Sequence, residues 1–390
     1  MNETQTMTIG EVCATISDTY RAKADEVTLI NTSDVLEGKV LNHERVPNKE
    51  LKGQFKKTFK KNDILYSEIR PQNKRFAFVD FDPVDYIAST KLMVLRADTS
   101  KVLPMYLYYY LKSALVIAEL QMLAETRSGT FPQITFTELS NLTIPVPSIT
   151  EQEAIVATIK CIEDKIDCNT EINDNLYEMV NAYYISLFRE VECEMTTIGS
   201  YAKHIYSGGT PTTSNDAYWN GAFGWFSSGE TRNRFVITTD KTITQAGVNN
   251  SSTKLATKHD IVMASAGQGF TRGQTSMLLI DTYVNQSVIV IHAERNVLPY
   301  LFWNLANRYD ELRAISDSSS IRGSLTTKMI AAFEIPLANE ESLKAFADFS
   351  WSIIPQIENN LLENERLTAL RDLLLPKLIS GEIDISDIRF

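Results

Sequence analysis

The chain has 390 residues and a formal net charge of −11, and 44% of its residues are hydrophobic. This length predicts two or three domains with ample core. The sequence has no run of about 18 apolar residues that would predict a membrane span, and its N-terminus has neither the basic nor the apolar segment of a secretion signal, so we expect a cytoplasmic protein. The four cysteines form no CxxC pair and no cluster with histidine, so we expect neither disulfides nor a metal site.

The acidic charge is concentrated in two segments. Residues 1–150 carry 18 basic and 18 acidic side chains, whereas residues 151–195 carry 3 and 11, and residues 339–390 carry 5 and 10. Within residues 1–150, the stretch 39–75 holds eleven Lys and Arg against four acids. A local excess of positive charge is typical of a phosphate-binding face, so the acidic total does not exclude nucleic acid as a partner.

In chain order, residues 1–150 are predicted to form a mixed, strand-rich domain. Strands are predicted over residues 55–81, with a loop at 70–74 where Pro71 ends a strand. A helix is predicted over residues 103–124. A loop rich in Ser, Gly and Thr follows it at residues 128–135.

A single long helix is predicted over residues 151–189. Its apolar residues recur at steps of three and four, as in a helix that buries a narrow seam against another helix. The same pattern returns over residues 342–380, so that Ile155 corresponds to Phe346 at a shift of 191 positions. The chain therefore contains two copies of one long amphipathic helix.

The segment between the two helices repeats the plan of the first domain. TIGSY at residues 197–201 matches TIGEV at 8–12, and VLPYLFWNL at 297–305 matches VLPMYLYYY at 102–110. This order indicates tandem duplication of one unit of about 190 residues, a period too long for a solenoid. We therefore predict an α+β protein with two similar strand-rich domains at 1–150 and 196–338, a first long spacer helix at 151–195, and a second spacer helix with a C-terminal tail at 339–390.

Asparagines interrupt the apolar seam at matching places in the two helices. Asn169 corresponds to Asn360, and Asn173 corresponds to Asn364. A buried asparagine costs stability, but it disfavours every register in which it faces an apolar residue. We therefore expect the two helices to pack on each other, antiparallel, in one register that these four residues set. The alternative is that each helix packs on its own domain, with the asparagines exposed.

Antiparallel helices of this length would separate the two domains. A helix of about 35 residues is about 50 Å long, on the order of one or more turns of B-DNA. A pseudo-dimer folded from one chain would then present two reading heads at a fixed spacing. Because the heads differ in sequence, we expect them to read different half-sites.

Several segments carry a family resemblance. SGGTPTTSNDAYWNGAFGWFSSGE at residues 207–230 and LLLPKLISGEIDISDI at 373–388 closely resemble the specificity subunits of type I restriction-modification systems. Residues 62–79 and 128–156 are similar to the same family, so the resemblance covers the whole chain. The first repeat departs from it, because ISDTYRAKADEVTLI at residues 16–30 stands where the second repeat has GGTP. The first domain is therefore expected to differ in how it reads DNA.

The resemblance implies a subunit that recognises a DNA sequence. Each globular unit would be a target-recognition domain, and the paired helices would be the spacer that sets the gap in a bipartite, asymmetric target. Two methyltransferase (M) subunits would dock on the chain, and motor-nuclease (R) subunits would join them where the system also restricts DNA. This chain would hold no cofactor, because S-adenosylmethionine and the adenine-methylating residues would belong to the partner.

Candidate DNA contacts in the first domain are basic and amide side chains. Lys and Arg hold phosphates, and planar or hydroxyl-bearing side chains read bases in the major groove. The alternative for the lysine run is a solvated charged face, and for the second loop it is an ordinary capping turn. The candidates are Lys56, Lys57, Lys60 and Lys61 in the run, Arg70, Gln72, Asn73, Lys74 and Arg75 in the first loop, and Arg127, Thr130 and Gln133 in the second loop.

The second domain offers three comparable segments. One follows an SSG turn, one is the glycine-rich stretch ASAGQGFTRGQ at residues 264–274, and one is equivalent to the second loop of the first domain. Glycines permit close approach of the backbone to a ligand. The candidates are Glu230, Arg232, Asn233 and Arg234 in the turn, Gln268, Thr271, Arg272 and Gln274 in the glycine-rich stretch, and Ser319, Ser320 and Arg322 in the equivalent loop.

The sequence carries no motif for catalysis. It has neither an (N/D)PPY-like adenine methyltransferase motif nor a GxxxxGK[ST] phosphate loop, and its four histidines have no metal-ligand partners close by in sequence. We therefore expect a non-catalytic chain. Two rival interpretations stay open, a two-headed protein scaffold without DNA binding and a self-sufficient DNA-modifying enzyme.

Insertion of one heptad into each long helix is expected to lengthen the gap in the DNA target, because the helices would separate the two reading heads. The measurement is the sequence context of methylated adenines in cells that carry the altered chain and its methyltransferase. An unchanged gap would show that the helices do not set the spacing.

Overall fold

The computed structural model describes residues 4–49, 53–127, 131–188, 194–267, 271–318 and 323–385. Its contacts divide the chain into a first unit, Met1–Ile166 with Arg366–Phe390, and a second unit, Asp167–Glu365. Each unit includes part of both long helices, which the domain boundaries drawn from the sequence kept separate. No helix within the described ranges combines the length and the apolar character needed to cross a membrane.

Twelve strands are described in the first unit. They are β1 (Gln5–Thr8), β2 (Cys13–Ile16), β3 (Glu26–Ile30), β4 (Val35–Leu36), β5 (Lys39–Val40), β6 (Val46–Pro47), β7 (Phe55–Lys57), β8 (Ile64–Ser67), β9 (Phe76–Phe78), β10 (Tyr86–Ser89), β11 (Leu92–Ala97) and β12 (Thr143–Val146). They form two four-stranded sheets, in the orders β6-β3-β10-β7 and β2-β11-β8-β9, and the strand pairs β1-β12 and β4-β5. The strands predicted over residues 55–81 are thus confirmed as β7, β8 and β9.

The first unit has the short helix α1 (Ile9–Val12) near its start. After β11 it contains α2 (Pro104–Leu111), α3 (Ala114–Arg127), α4 (Phe136–Ser140) and the first part of the long helix α5 (Ile149–Phe188). The single helix predicted over residues 103–124 is wrong, because two helices meet at Lys112 and Ser113. The carbonyl of Ser113 starts α3 by accepting the Ile117 N–H at 3.0 Å, and the Lys112 ammonium pairs with Glu163 of α5.

Both faces of the sheet β2-β11-β8-β9 are buried. Ile64 and Tyr66 of β8 point to the core formed with α2, α3 and α5. Leu65, the residue between them, points to a second core that it shares with Ile30 of β3. Neighbouring residues of a strand face opposite sides, so a strand covered on both faces is apolar throughout. This explains the continuous apolar run ILY in the sequence.

The second unit repeats this arrangement. Its strands are β13 (Met195–Thr197), β14 (Ala202–Ser207), β15 (Trp219–Phe226), β16 (Phe235–Val236), β17 (Lys241–Ile243), β18 (Lys254–Ala256), β19 (Ile261–Ala264), β20 (Thr275–Leu278), β21 (Thr282–Val284), β22 (Val288–Ala293) and β23 (Glu334–Pro336). Its helices are α6 (Ile198–Tyr201), α7 (Gln245–Asn249), α8 (Leu298–Asn307), α9 (Tyr309–Ser318), α10 (Thr327–Ala331) and most of the long helix α11 (Glu340–Ser380).

The sheet topology confirms the predicted duplication. The sheet β17-β15-β21-β18 has the order and strand directions of β6-β3-β10-β7, including one parallel pair in its centre. The sheet β14-β22-β19-β20-β16 matches β2-β11-β8-β9, with β16 added at its edge. An isolated parallel bridge between Gly38 and Ala77 occupies the place of the β16–β20 pairing in the first unit.

The two long helices pack on each other, as the repeated seam predicts. Within the second unit, Tyr183 and Tyr184 of α5 contact Phe346 of α11, with ring centroids 6.0 and 5.8 Å apart. Within the first unit, Ile155 and Ile159 of α5 share a core with the residues near Leu378 at the other end of α11. Early residues of one helix therefore meet late residues of the other, and the predicted antiparallel pairing is confirmed.

The four asparagines of the seam contact one another in the second unit. The Asn169 amide donates to Asn364 Oδ1 at 2.9 Å, and the Asn360 amide donates to Asn173 Oδ1 at 2.8 Å. The Asn173 amide in turn donates to the Ile357 carbonyl at 3.3 Å. Asn169 and Asn173 are buried, so the alternative in which they are exposed is wrong.

Replacement of Asn173 by Ala is expected to lower the free energy of unfolding by about 1–3 kcal/mol, because the Asn360 amide then loses its acceptor in a largely buried layer. Asn175→Ala is the matched control, since Asn175 is the same residue type on the same helix but is exposed. Urea unfolding of the full chain, followed by circular dichroism, measures both. Equal midpoints for the two variants would contradict the role of Asn173.

Candidate nucleic-acid interface

The loop between β8 and β9 carries five of the predicted DNA contacts. Its centre is a 3-10 turn, Pro71–Asn73, flanked by Arg70 and Lys74 in the left-handed backbone region with φ of 44° and 51°. This region is unfavourable for residues with a side chain, and such residues are concentrated at functional sites. The loop therefore has one defined shape that the surrounding structure must hold.

Neighbouring segments of the first unit hold this loop. The Arg75 guanidinium donates to the carbonyls of Ser33 and Val35 at 3.0 and 3.3 Å. The Lys74 ammonium pairs with Glu37 at 2.9 Å. The Arg75 guanidinium is therefore engaged by the protein itself, whereas both side chains of the Lys74–Glu37 pair are more than half exposed and the pair contributes little.

The remaining three candidates in this loop point outward. The side chains of Arg70, Gln72 and Asn73 are exposed. Guanidinium and amide groups are the ones that form paired hydrogen bonds with guanine and adenine edges. A loop that combines a fixed backbone with these exposed guanidinium and amide groups is suited to reading bases.

The second predicted loop of the first unit lies beside the first. The Arg70 N–H donates to the Pro132 carbonyl at 3.1 Å, and Ile69 forms a bridge with Gln133. The Gln133 side chain accepts from Lys91 at 3.4 Å. Arg127 is the last residue of α3, and Thr130 lies outside the described residues. The structure therefore brings Gln133 to the loop of Arg70, although 63 positions separate these two residues in the sequence.

The lysine run divides into exposed and internal residues. Lys56, Lys60 and Lys61 are exposed. The Lys57 ammonium instead donates to the carbonyls of Thr90 and Leu92 at 3.1 and 2.8 Å, and burial lowers its pKa. Lys57 thus ties β7 to the strands beside it, while the other three lysines leave their charges at the surface.

The glycine-rich loop of the second unit occupies the same place as the loop of Arg70, between β19 and β20. Gly267 and Gly273 have positive φ, 151° and 86°, which only glycine adopts readily. The Arg272 guanidinium donates to the Gly323 carbonyl at 2.6 Å and pairs with Asp317. Its side chain is only 13% exposed, so Arg272 holds two segments together.

Two other candidates of this region, Thr271 and Gln274, have partly exposed side chains. The remaining candidates, Gln268, Ser319, Ser320 and Arg322, lie outside the described residues. The Leu325 N–H donates to the Ser265 carbonyl at 2.8 Å. The segment after α9 therefore approaches the glycine-rich loop, as the second loop of the first unit approaches the first.

The turn after β15 contains one buried and three exposed candidates. Glu230 is buried, and its carboxylate accepts the N–H groups of Ser227 and Asp240 at 2.7 and 2.9 Å. Burial raises its pKa. Arg234 lies over the Tyr177 ring at 4.2 Å and pairs with Asp174 at 3.1 Å, both on α5.

Arg232 and Asn233 are exposed like Arg234. The Arg232 guanidinium lies 3.9 Å from an Asp240 carboxylate oxygen, and both side chains are more than 60% exposed. Such an exposed pair contributes little to stability. Arg232 and Asn233 therefore face solvent without a close partner on α5, whereas the exposed Arg234 lies against Tyr177 of that helix.

The sequence does not reveal the residues that support the loops. Ser33, Val35 and Glu37 hold the loop of Arg70 from segments more than 35 positions away, and only the carbonyls of the first two are used. A backbone carbonyl has no signature in a sequence. Among the described residues, no group of three or more His, Cys, Asp or Glu side chains is placed to hold a metal ion.

Comparisons with known proteins show the family of this chain. A sequence profile of the type I restriction modification DNA specificity domain matches the chain twice, at residues 1–178 and 190–369. The chain is 29% identical to the type I restriction enzyme HindI specificity subunit of Haemophilus influenzae, over 98% of this chain and all of that protein. It is 27% identical to the EcoR124I/EcoR124II specificity subunit of Escherichia coli, over 71% of this chain and 68% of that protein.

The fold is similar to that of a solved structure. That structure is the crystal structure of a type I restriction-modification system S subunit from M. genitalium, with a TM-score of 0.59 and 18% identity over 97% of each chain. The arrangement of strands and long helices is therefore known from experiment in a distant relative.

Replacement of Arg70 by Ala is expected to weaken specific DNA binding by about 1–3 kcal/mol, because a paired contact to a base would be lost. Arg21→Ala is the control, since Arg21 is exposed in the same unit but lies away from the loop in sequence. The dissociation constants of the assembled complex for its target and for an unrelated duplex measure the effect. If both variants bind the target as the unaltered chain does, Arg70 does not read DNA.

Proposed function

Because the chain belongs to the family of type I restriction modification DNA specificity domains, we propose that it recognises the DNA sequence on behalf of a restriction-modification complex. The observation that carries this proposal is the double match of that domain to two units with the same sheet topology. In each unit one predicted reading loop joins the equivalent pair of strands, β8 and β9 in the first unit and β19 and β20 in the second.

The DNA target of this chain has two unlike parts. The loop of the first unit presents Arg70, whose backbone is in the left-handed region, and Gln72 and Asn73 of the 3-10 turn that follows it. The corresponding loop of the second unit contains glycines with positive φ and ties its arginine to Asp317. Side chains of different length and polarity form different sets of hydrogen bonds with base edges. Each unit therefore reads its own part of an asymmetric target.

Chemistry on the DNA belongs to partner subunits. The chain has no motif for adenine methylation or for nucleotide hydrolysis in its sequence. Two methyltransferase (M) subunits dock on it, bind S-adenosylmethionine and methylate adenines in the target. Motor-nuclease (R) subunits join this assembly where the system cleaves unmodified DNA.

Methyl transfer to duplex DNA by the purified components tests this function. With S-adenosylmethionine present, we expect no methylation by this chain alone, none at a defined sequence by the methyltransferase alone, and methylation of a two-part sequence when both are combined. Sequencing of methylated adenines in a random duplex library reads the result.

Two outcomes would contradict the proposal in different ways. Methyl transfer by this chain alone would make it a self-sufficient enzyme. Failure of the combined complex to bind duplex DNA even at low salt, where phosphate contacts are strongest, would instead support a protein scaffold without a DNA role.

A further inference from the structure

Two edge strands of the second unit enclose a basic groove. β14 lies at the edge of the five-stranded sheet, and β18 lies at the edge of the four-stranded sheet. The Tyr206 hydroxyl of β14 donates to the Leu255 carbonyl of β18 at 2.7 Å and so joins the two edges. The space between them is about 480 Å³ and open to solvent. The basic groove is lined by Lys203, His204, Ile205, Tyr206, Lys254 and Leu255.

The lining of the basic groove has no carboxylate. The Lys254 ammonium lies 5.6 Å from the centre of the Tyr206 ring, a weak contact at an exposed site. The Lys203 ammonium contacts Glu294 at 2.5 Å, but both side chains are about half exposed or more. Such exposed pairs contribute little and exchange partners easily. Both lysines therefore keep a positive charge available to a ligand.

A second acid near the basic groove, Asp260, is buried and already bound. Asp260 is 2% exposed. It accepts from the Thr257 N–H at 2.8 Å and contacts His292 Nδ1 at 2.6 Å. The His292 ring stacks on His204 of the groove with centroids 6.2 Å apart. The Asp260 carboxylate is therefore held inside the unit, where it does not compete with an anionic ligand for the lysines of the basic groove.

The first unit is basic at the same edge of the same sheet. The sheet β6-β3-β10-β7 of the first unit ends in β7, which corresponds to β18 by strand order and direction. β7 carries the exposed Lys56, and the exposed Lys60 and Lys61 follow it. Lys254 of β18 and Lys258 are four positions apart, like Lys57 and Lys61 in the run of the first unit. The sequence spacing and the shared topology therefore both relate Lys254 to that run.

We propose that the basic groove binds the sugar-phosphate backbone of duplex DNA, while the loops between paired strands contact the bases. This inference rests on the proposed function. Lysine is a point charge on a flexible stem and does not form the paired contacts that distinguish bases. Contacts to phosphate fix the position of a protein on the duplex without selecting its sequence. The basic groove thus contributes affinity rather than specificity.

The test compares two lysines at opposite edges of one sheet. Lys254→Gln removes a charge from the basic groove. Lys241→Gln is the matched control, because Lys241 lies in β17 at the other edge, is exposed, and has its ammonium 5.7 Å from the centre of the Trp219 ring. Each variant loses one ammonium that rests on one aromatic ring. Lys254→Arg keeps the charge and serves as the rescue.

The measurement is the dissociation constant of the assembled complex between 50 and 200 mM salt, for duplexes with and without the target. For Lys254→Gln we expect the slope of log K against log salt to fall by about 0.9, with affinity for both duplexes reduced by the same factor. Lys241→Gln and Lys254→Arg are expected to keep the original slope, and the methylated sequence is expected to stay unchanged in all three variants.

Three results would overturn the inference. A slope for Lys254→Gln equal to that of the unaltered chain would remove the basic groove from the interface and leave the proposed function intact. A changed methylated sequence would show that Lys254 reads bases. Absence of DNA binding by the unaltered complex would overturn the proposed function together with this inference.

Discussion

The burial of the last turns of α11 in the first unit is the contact on which that unit depends. Leu375 and Leu378 are at most 4% exposed and share a core with Ile155 and Ile159 of α5. Along the chain, 216 positions separate Ile159 from Leu375. Closing so long a loop costs entropy before any contact is gained. The first unit is therefore completed by a helix segment that follows the whole second unit in the sequence.

Duplication explains how one fold serves two reading surfaces. The central strands of both units are apolar on both faces, as Leu65 and its neighbours in β8 illustrate, so any change there disturbs a packed core. The loops between these strands lie at the surface and carry no such constraint. The same pair of strands therefore supports a turn with left-handed arginine and lysine in the first unit and a glycine-rich loop in the second.

The loops show why site residues are harder to predict than strands. Pro71 correctly signals a turn after β8, because its fixed φ and missing N–H end a strand. The same stretch gives five polar residues of similar promise, yet Arg75 is bound to Ser33 and Val35 whereas Arg70 is exposed. Glu230 likewise belongs to a polar turn in the sequence, but its side chain is buried because its carboxylate accepts the Ser227 N–H and so caps the turn. These differences depend on partners from distant segments.

The sequence by itself determined the two long helices and the duplication of the strand-rich unit, because apolar periodicity and repeated motifs are local patterns. It favoured mutual packing of the helices, and the burial of Asn169 and Asn173 decided against separate packing. Only the tertiary structure decided that α2 and α3 are separate helices, since the turn at Lys112 is fixed by Glu163 of α5. It also decided which polar side chains are free to meet a ligand. A side chain keeps its charge or donor for a partner only when no distant backbone group has taken it, and such pairings arise from folding in three dimensions.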